Sequence, residues 1–137
     1  MQIAPLGIRA VAAIIDLLVL AVLWTVFGIF AGNPPASGYG FNIEGLPALA
    51  GFAATFAYYA VTDVLWGGTP GKMLTALRVV DADTGERIDW SKSIIRNLLR
   101  IVDAIPTLYL VGFLFALSSP KNQRLGDRVA RTVVVRL

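Results

Sequence analysis

Two charged residues lie within the first long apolar stretch of the chain. The segment IRAVAAIIDLLVL carries Arg9 near its start and Asp16 near its middle. On insertion scales an ionisable residue near the centre of a membrane helix costs about 2.5 to 3.5 kcal/mol, so it requires a partner or a function. A carboxylate at this depth can bind a proton or a small cation, or it can form an ion pair with an arginine. The residue types therefore fit two roles, ion transport and a structural ion pair that holds helices together.

The spacing of these two residues indicates that they do not pair with each other. Seven residues are two helical turns, so Arg9 and Asp16 share a face but lie roughly 10 Å apart along the axis. Arg9 can extend toward the membrane surface, whereas Asp16 cannot. We predict that Asp16 contacts Arg96 or Arg100. The predicted set of interacting charges contains Arg9, Asp16, Asp63, Arg96, Arg100 and Asp103. This set is a structural ion-pair network, a path for an ion or proton, or a recognition site for lipid or a partner.

The composition indicates an integral membrane protein. Of the 137 residues, 56% are hydrophobic and only 15% are charged, which is far more apolar than a soluble domain. Cysteine and histidine are both absent, so thiolate or imidazole metal sites and nucleophile–histidine catalytic arrangements are excluded. We expect no enzymatic activity, no metal and no cofactor. The net charge of +3 does not indicate a nucleic-acid partner, because the basic residues cluster as topology signals.

Two stretches are long enough to cross a membrane. They cover about residues 10–31 and 46–66, and at 1.5 Å per residue each spans a hydrocarbon core of about 30 Å. A cleaved signal peptide fits the first stretch poorly, because the stretch is too long and carries Asp16. The second stretch predicts close packing against a neighbouring helix through its small residues, which are Ala50, Gly51, Ala53, Ala54, Ala57 and Ala60.

The polar segment after the second span contains two motifs with chemical alternatives. GGTPGK resembles a phosphate loop but lacks its first glycine and its final hydroxyl residue, so we interpret it as a turn at the membrane exit, with Lys72 extending to headgroups. The next segment, about residues 77–90, predicts a β-hairpin around ADTG. Its acidic residues match a calcium loop only loosely, and a solvated turn is favoured. A final strand, Thr132 to Arg136, is expected to join this hairpin in a small sheet.

The third apolar region, about residues 91–119, does not have the pattern of an ordinary span. It carries Arg96, Arg100 and Asp103 in its first half and Pro106 near its centre. One alternative is a re-entrant helix broken between Asp103 and Pro106. The other is an amphipathic helix lying in the membrane interface from Ser91 to Ala104, with arginine heads on phosphates.

Charge distribution predicts the orientation in the membrane. The segment from Lys72 to Arg100 and the basic tail, residues 120–137, hold eleven of the twelve Lys and Arg residues, whereas the loop from Gly32 to Gly45 has none. The positive-inside rule therefore places both termini in the cytoplasm. Contact with anionic lipid or a partner is expected from Lys72, Lys92, Lys121, Arg124 and Arg128.

Three blocks of the sequence resemble the RDD family of small bacterial membrane proteins. They are IRAVAAIID, GGTPGK followed by RVVDADTG, and QRLGDRVARTVVV, which together cover essentially the whole chain. The resemblance assigns the family's arginine to Arg9 and its aspartates to Asp16 and Asp127, with Asp63 as an alternative to Asp127, and it adds Asp127 to the predicted set of interacting charges. One departure is Arg131, where the family more often has a small residue.

The resemblance implies a largely uncharacterised function, with transport suggested for the family. Two hypotheses follow for a single membrane domain, residues 1–137, in the bacterial cytoplasmic membrane. In the first, the protein is an accessory or assembly subunit of a larger complex. In the second, it is a homo-oligomeric transporter or channel for a proton or small cation. The expected fold is all-α, with two transmembrane helices, a broken third helical region, and a small cytoplasmic β-hairpin with a C-terminal strand.

Overall fold

The computed structural model describes residues 2–34, 38, 40, 42–103, 114, 117, 120, 121, 123 and 125–137. The protein is mostly helical, with two long helices and a small three-stranded sheet. In chain order the described elements are β1 (Gln2–Ile3), α1 (Leu6–Ala31), α2 (Gly45–Leu65), α3 (Pro70–Leu74), β2 (Leu77–Asp81), α4 (Trp90–Asp103), α5 (Leu125–Ala130) and β3 (Thr132–Arg136).

The two long helices are close to the predicted spans. α1 has 26 residues and α2 has 21, and both are long and apolar enough to cross a membrane. Large apolar side chains are exposed along α1 from Val11 to Phe30, which is about 28 Å of helix. This distance matches a hydrocarbon core. The exposed apolar surface of α1 is therefore long enough to cross the hydrocarbon core of a membrane.

α1 and α2 contact each other through a glycine and an indole. The Trp24 Nε1–H donates to Thr55 Oγ1 at 3.0 Å, and a Cβ built on Gly51 would lie 2.5 Å from the Trp24 ring. Of the small residues noted in the sequence, Gly51 and Ala60 are buried. The other four are exposed, and they are Ala50, Ala53, Ala54 and Ala57.

The sheet joins the two ends of the chain. β3 is its central strand and pairs antiparallel with both β1 and β2, with Ile3 opposite Val135 and Val79 opposite Val134. One face of the sheet packs on the first turns of α1, in a core of Ala4, Ala12, Leu77, Val79, Ile88 and Val134. The strand predicted from Thr132 to Arg136 is present, and β1 is an addition that the sequence did not indicate.

The predicted hairpin forms only in part. β2 has the expected bounds, but residues 86–90 do not form a second strand and contribute a single bridge between Val80 and Arg87. The reason is a helix start: Asp89 Oδ1 accepts the Lys92 N–H at 2.9 Å, so α4 begins at Trp90. Residues 86–90 therefore lead into the start of α4, which Asp89 caps, and do not continue as a strand.

The turn after β2 is organised by one aspartate. Asp81 Oδ1 accepts the N–H groups of Asp83 at 2.8 Å and Thr84 at 3.2 Å, and Asp81 also pairs with Lys92 of α4. The hydrogen bond from Lys92 lowers the pKa of Asp81 to about 2. These acidic residues therefore support a turn and its attachment to α4. Among the described residues no group of three Asp or Glu lies together in a metal-binding arrangement.

The last turn before β3 contains Arg131, the residue that departs from the family pattern. Arg131 has a φ of 55°, in the left-handed region where glycine is favoured. Glycine would relieve the backbone at this position because it has no Cβ, and this chain keeps an arginine there. Its guanidinium lies at the surface and pairs with Asp83 at 3.0 Å.

The continuous described part of the third apolar region is the helix α4. The predicted break between Asp103 and Pro106 falls largely on residues 104–113, outside the described residues, and so does most of the apolar segment after it. This helix is amphipathic, but its polar residues Ser93, Arg96 and Asn97 are the buried ones. The prediction that the arginines of this helix extend to phosphates is wrong for Arg96, which points into the protein.

Candidate functional site

Arg96 is the centre of a network of buried charges. From α4 its Nε and Nη2 donate to Asp127 Oδ1 at 3.0 and 2.8 Å, and its Nη1 donates to Asp63 Oδ2. The residue is 4% exposed. Although burial alone lowers the pKa of Arg96, the two carboxylates raise it above its ordinary value. Arg96 is therefore a permanent cation that joins α2, α4 and α5.

Asp127 receives a second arginine from α1. Arg9 Nη2 donates to Asp127 Oδ2 at 3.2 Å, so both oxygens of this carboxylate are occupied by guanidinium groups. The preceding glycine permits this approach: a Cβ on Gly126 would lie 2.8 Å from the Arg96 carbonyl oxygen. The LGD segment thus brings α5 directly onto α4.

Asp63 lies near the end of α2 and is completely buried. Its Oδ1 accepts Lys72 Nζ at 3.1 Å, its Oδ2 accepts Arg96, and Asn97 Nδ2 lies 3.4 Å from the same oxygen. Each oxygen of Asp63 and Asp127 therefore accepts a hydrogen bond from a cationic side chain. We call these residues the charge network: Arg9, Asp63, Lys72, Arg96 and Asp127.

Asp16 lies apart from the charge network and is bound by neutral donors. It accepts the Tyr58 hydroxyl at 3.0 Å, the Thr69 hydroxyl at 2.5 Å and the Gly71 N–H at 2.9 Å. None of the ion pairs within the described part of the chain includes it. The prediction that Asp16 contacts Arg96 or Arg100 is therefore wrong.

The short helix α3 explains why Asp16 is partnered in this way. Pro70 is its first residue, and its first free N–H group is that of Gly71, which points at the Asp16 carboxylate. A Cβ on Gly71 would lie 2.2 Å from the Ala12 carbonyl oxygen, so only glycine fits. GGTPGK is thus the segment that docks on α1, and Asp16 caps it from another helix.

The remaining predicted residues occupy different places. The Arg100 guanidinium lies over the Tyr59 ring, 4.0 Å from its centre, and the Asp103 side chain lies outside the described residues. Lys72 is buried against Asp63, so the prediction that it reaches headgroups is wrong. Lys92 is partly buried and pairs with Asp81. Lys121 and Arg128 are exposed, and Arg124 lies outside the described residues.

Sequence reasoning missed the neutral partners of the aspartates. They are Tyr58, Thr69 and Gly71 around Asp16, and Asn97 beside Asp63. One signal was available: Thr followed by Pro marks a helix start, and a helix start needs an acceptor for its free N–H groups. Nothing local to Thr69 indicated that a residue 53 positions earlier would provide it.

Lys72 gives the charge network a predicted pH dependence. Burial lowers the pKa of Lys72 from 10.5 to about 7, against the opposing attraction of Asp63 and with a further lowering by Arg96 and Arg100. At pH values between about 7 and 10.5, Lys72 is protonated in the unfolded chain and mostly neutral in the folded chain, so the free energy of unfolding of the wild type rises with pH. Relative to Lys72→Met, the wild-type free energy of unfolding should rise by up to about 1.4 kcal/mol per pH unit from pH 7 toward 10.5. Unfolding by SDS in mixed micelles at several pH values measures this difference, and a constant difference would contradict it.

Comparison with known proteins supports the family assignment. The RDD family model matches residues 3–131. A proline-rich antigen homolog of Mycobacterium tuberculosis is 33% identical over 108 residues, which are 79% of this chain and 44% of the relative. The uncharacterized membrane protein YteJ of Bacillus subtilis is 35% identical over 80 residues, which are 58% of this chain and 46% of the relative.

The chain thus spans less than half the length of these curated relatives. No solved structure matches it. Two of the three residues assigned from the family resemblance, Arg9 and Asp127, form an ion pair, and the third, Asp16, caps α3. Since the family match covers nearly the whole chain and two helices are long and apolar enough to cross a membrane, the protein belongs to the RDD family of membrane proteins.

Proposed function

We propose that the protein is an accessory or assembly subunit of a larger complex in the bacterial cytoplasmic membrane. In this proposal the charge network holds the fold together, and the outer surface of α2 binds a helix of another subunit. No enzymatic reaction, cofactor or nucleic-acid partner is part of the proposal. Membrane lipid covers the remaining apolar surface.

The closure of the charge network supports a structural role. Both oxygens of Asp63 and of Asp127 accept hydrogen bonds from cations within the same chain, and Asp16 accepts three more from neutral groups. These contacts connect α1, α2, α3, α4 and α5. A buried ion pair that lost one partner would leave a costly charge, so the network enforces one arrangement of these elements.

The exposed alanine face of α2 carries the proposal. Ala53 and Ala54 each lie three or four residues from both Ala50 and Ala57, and all four are exposed, which places them on one side of the helix. Small residues let a second helix approach closely in lipid, where dispersion contacts drive association. The curated relatives are more than twice as long as the part that matches this chain. In those relatives the matched part therefore occurs together with further sequence.

The orientation is proposed from charge. β1 and β3 are neighbours in the sheet, so the first and last described segments lie together. Residues 72–100 and 120–137, which include β2, most of α4, α5 and β3, hold eleven of the twelve Lys and Arg residues, whereas the connector between α1 and α2 has none. The positive-inside rule then places this group of elements on the cytoplasmic side.

The test compares two matched substitutions on the native complex. Wild-type protein is extracted from its own membranes in copolymer nanodiscs and weighed by native mass spectrometry. We expect a mass that includes a different polypeptide, and we expect Ala54→Leu to lose it while remaining folded. Ala13→Leu, at an exposed alanine of α1, is the control and should retain it. Recovery of this chain alone, or only with copies of itself, would contradict the proposal.

One observation favours the second candidate, a homo-oligomeric transporter or channel for a proton or small cation. Lys72 and Asp63 are 3.1 Å apart, and burial lowers the pKa of Lys72 to about 7, where a proton can be exchanged under cellular conditions. In purified proteoliposomes a pH gradient should then drive ion flux that Lys72→Met abolishes. Absence of flux from a folded homo-oligomer would exclude this candidate.

A further inference from the structure

The outer face of α4 is apolar and uncovered. Trp90, Ile94, Leu98 and Ile101 recur at helical spacing, and each is between 41% and 59% exposed. Ile95 lies beside them and is 37% exposed. An ordinary surface helix of a soluble protein shows the opposite arrangement, with its apolar face inside and its polar face in water.

The inner face of the same helix is polar and contacts α2 and α5. Ser93 Oγ donates to the Ala60 carbonyl at 2.8 Å, Arg96 pairs with Asp63, and Arg100 lies over Tyr59. The helix therefore cannot turn its apolar face inward without breaking the charge network. Its apolar face is fixed outward by the contacts of its polar face.

These contacts also fix the depth of α4 relative to the first two helices. Tyr59, Ala60 and Asp63 lie two to six residues before the end of α2 at Leu65, which is about 3 to 9 Å inside that end. Leu65 itself is exposed and apolar. Ser93, Arg96 and Arg100 of α4 thus lie at the level of the last two turns of α2.

We propose that α4 is embedded at the edge of the hydrocarbon layer, with Trp90, Ile94, Leu98 and Ile101 against lipid acyl chains and Arg96 facing the protein. Such a helix differs from a surface-bound amphipathic helix, whose basic side chains face the headgroups. The charge network then lies beneath a lipid-covered helix, where water does not compete for its hydrogen bonds.

The absence of cysteine makes a direct depth measurement possible. Single-cysteine variants Ile94→Cys and Leu98→Cys carry a nitroxide label in liposomes, and collision rates with oxygen and with a water-soluble nickel chelate are measured by power saturation. Leu18→Cys on the exposed surface of α1 is the lipid reference, and Asp83→Cys in the turn after β2 is the water reference.

We expect both α4 labels to show an oxygen-to-nickel ratio several-fold above that of Asp83→Cys and close to that of Leu18→Cys. A ratio near the water reference would overturn the proposal, because α4 would then lie outside the hydrocarbon. Low accessibility to both reagents with spin–spin broadening would also overturn it, because a second copy would cover the face. Low accessibility to both reagents without broadening would also overturn it, because protein of the same chain rather than lipid would then cover the face.

Discussion

Replacing Arg96 with methionine is expected to lower the free energy of unfolding by about 3 to 5 kcal/mol, the typical cost of removing one partner from a buried ion pair. Arg96 donates three hydrogen bonds to two carboxylates, and it is the residue through which Asp63 and Asp127 are joined. Its removal leaves Asp63 with Lys72 and Asp127 with Arg9. Unfolding by SDS in mixed micelles, followed by circular dichroism, measures the loss.

The matched control is the surface ion pair of Asp83 and Arg131, whose side chains are 53% and 70% exposed. Asp83→Asn should change stability by no more than about 1 kcal/mol, because water screens an exposed pair. In a double-mutant cycle, Arg96→Met and Asp127→Asn should be strongly non-additive. If Arg96→Met were as stable as Asp83→Asn but ion flux disappeared, the network would have a transport role and the structural role would be refuted.

Replacing Asp16 with leucine is expected to cost several kcal/mol, because it leaves three hydrogen-bond donors without an acceptor, and two of them, at Thr69 and Gly71, are buried. The Tyr58 hydroxyl, the Thr69 hydroxyl and the Gly71 N–H all donate to this carboxylate, and each stranded buried group costs about 1 to 3 kcal/mol. Asp16→Asn should be much milder. Its carbonyl can accept from Gly71, and its amide can donate to a rotated Thr69 hydroxyl. Thermal unfolding in detergent ranks the two variants.

Two further variants distinguish this role of Asp16 from an ion pair. Gly71→Ala should be about as damaging as Asp16→Leu, since its Cβ would lie 2.2 Å from the Ala12 carbonyl and would force α3 off α1. Arg96→Met should not rescue Asp16→Asn, because the two side chains do not contact each other and their effects should add. Rescue of Asp16→Asn by a neutral residue at position 96 would show that the two charges interact after all.

The sequence alone determined the membrane class, the two long helices and the presence of charges that need partners. These follow from local properties: a run of apolar residues has a length, and a buried charge has a cost, wherever the chain later folds. β2 and β3 were also predictable, because β-branched residues favour strands. The short strand β1 was not, since two residues carry no periodic pattern and form a strand only beside β3.

The tertiary structure decided which charges meet. The sequence predicts Arg96 or Arg100 as the partner of Asp16, but Arg96 lies between Asp63 and Asp127, 33 and 31 residues away. Helical spacing shows which face of α4 carries Arg96, but it does not show which other helix covers that face. That choice depended on two close approaches, Gly71 onto α1 and Gly126 onto α4, each made possible by the absence of a Cβ. Gly71 gives Asp16 a backbone N–H, so its carboxylate is satisfied without an arginine, and Arg96 is left to join the two aspartates.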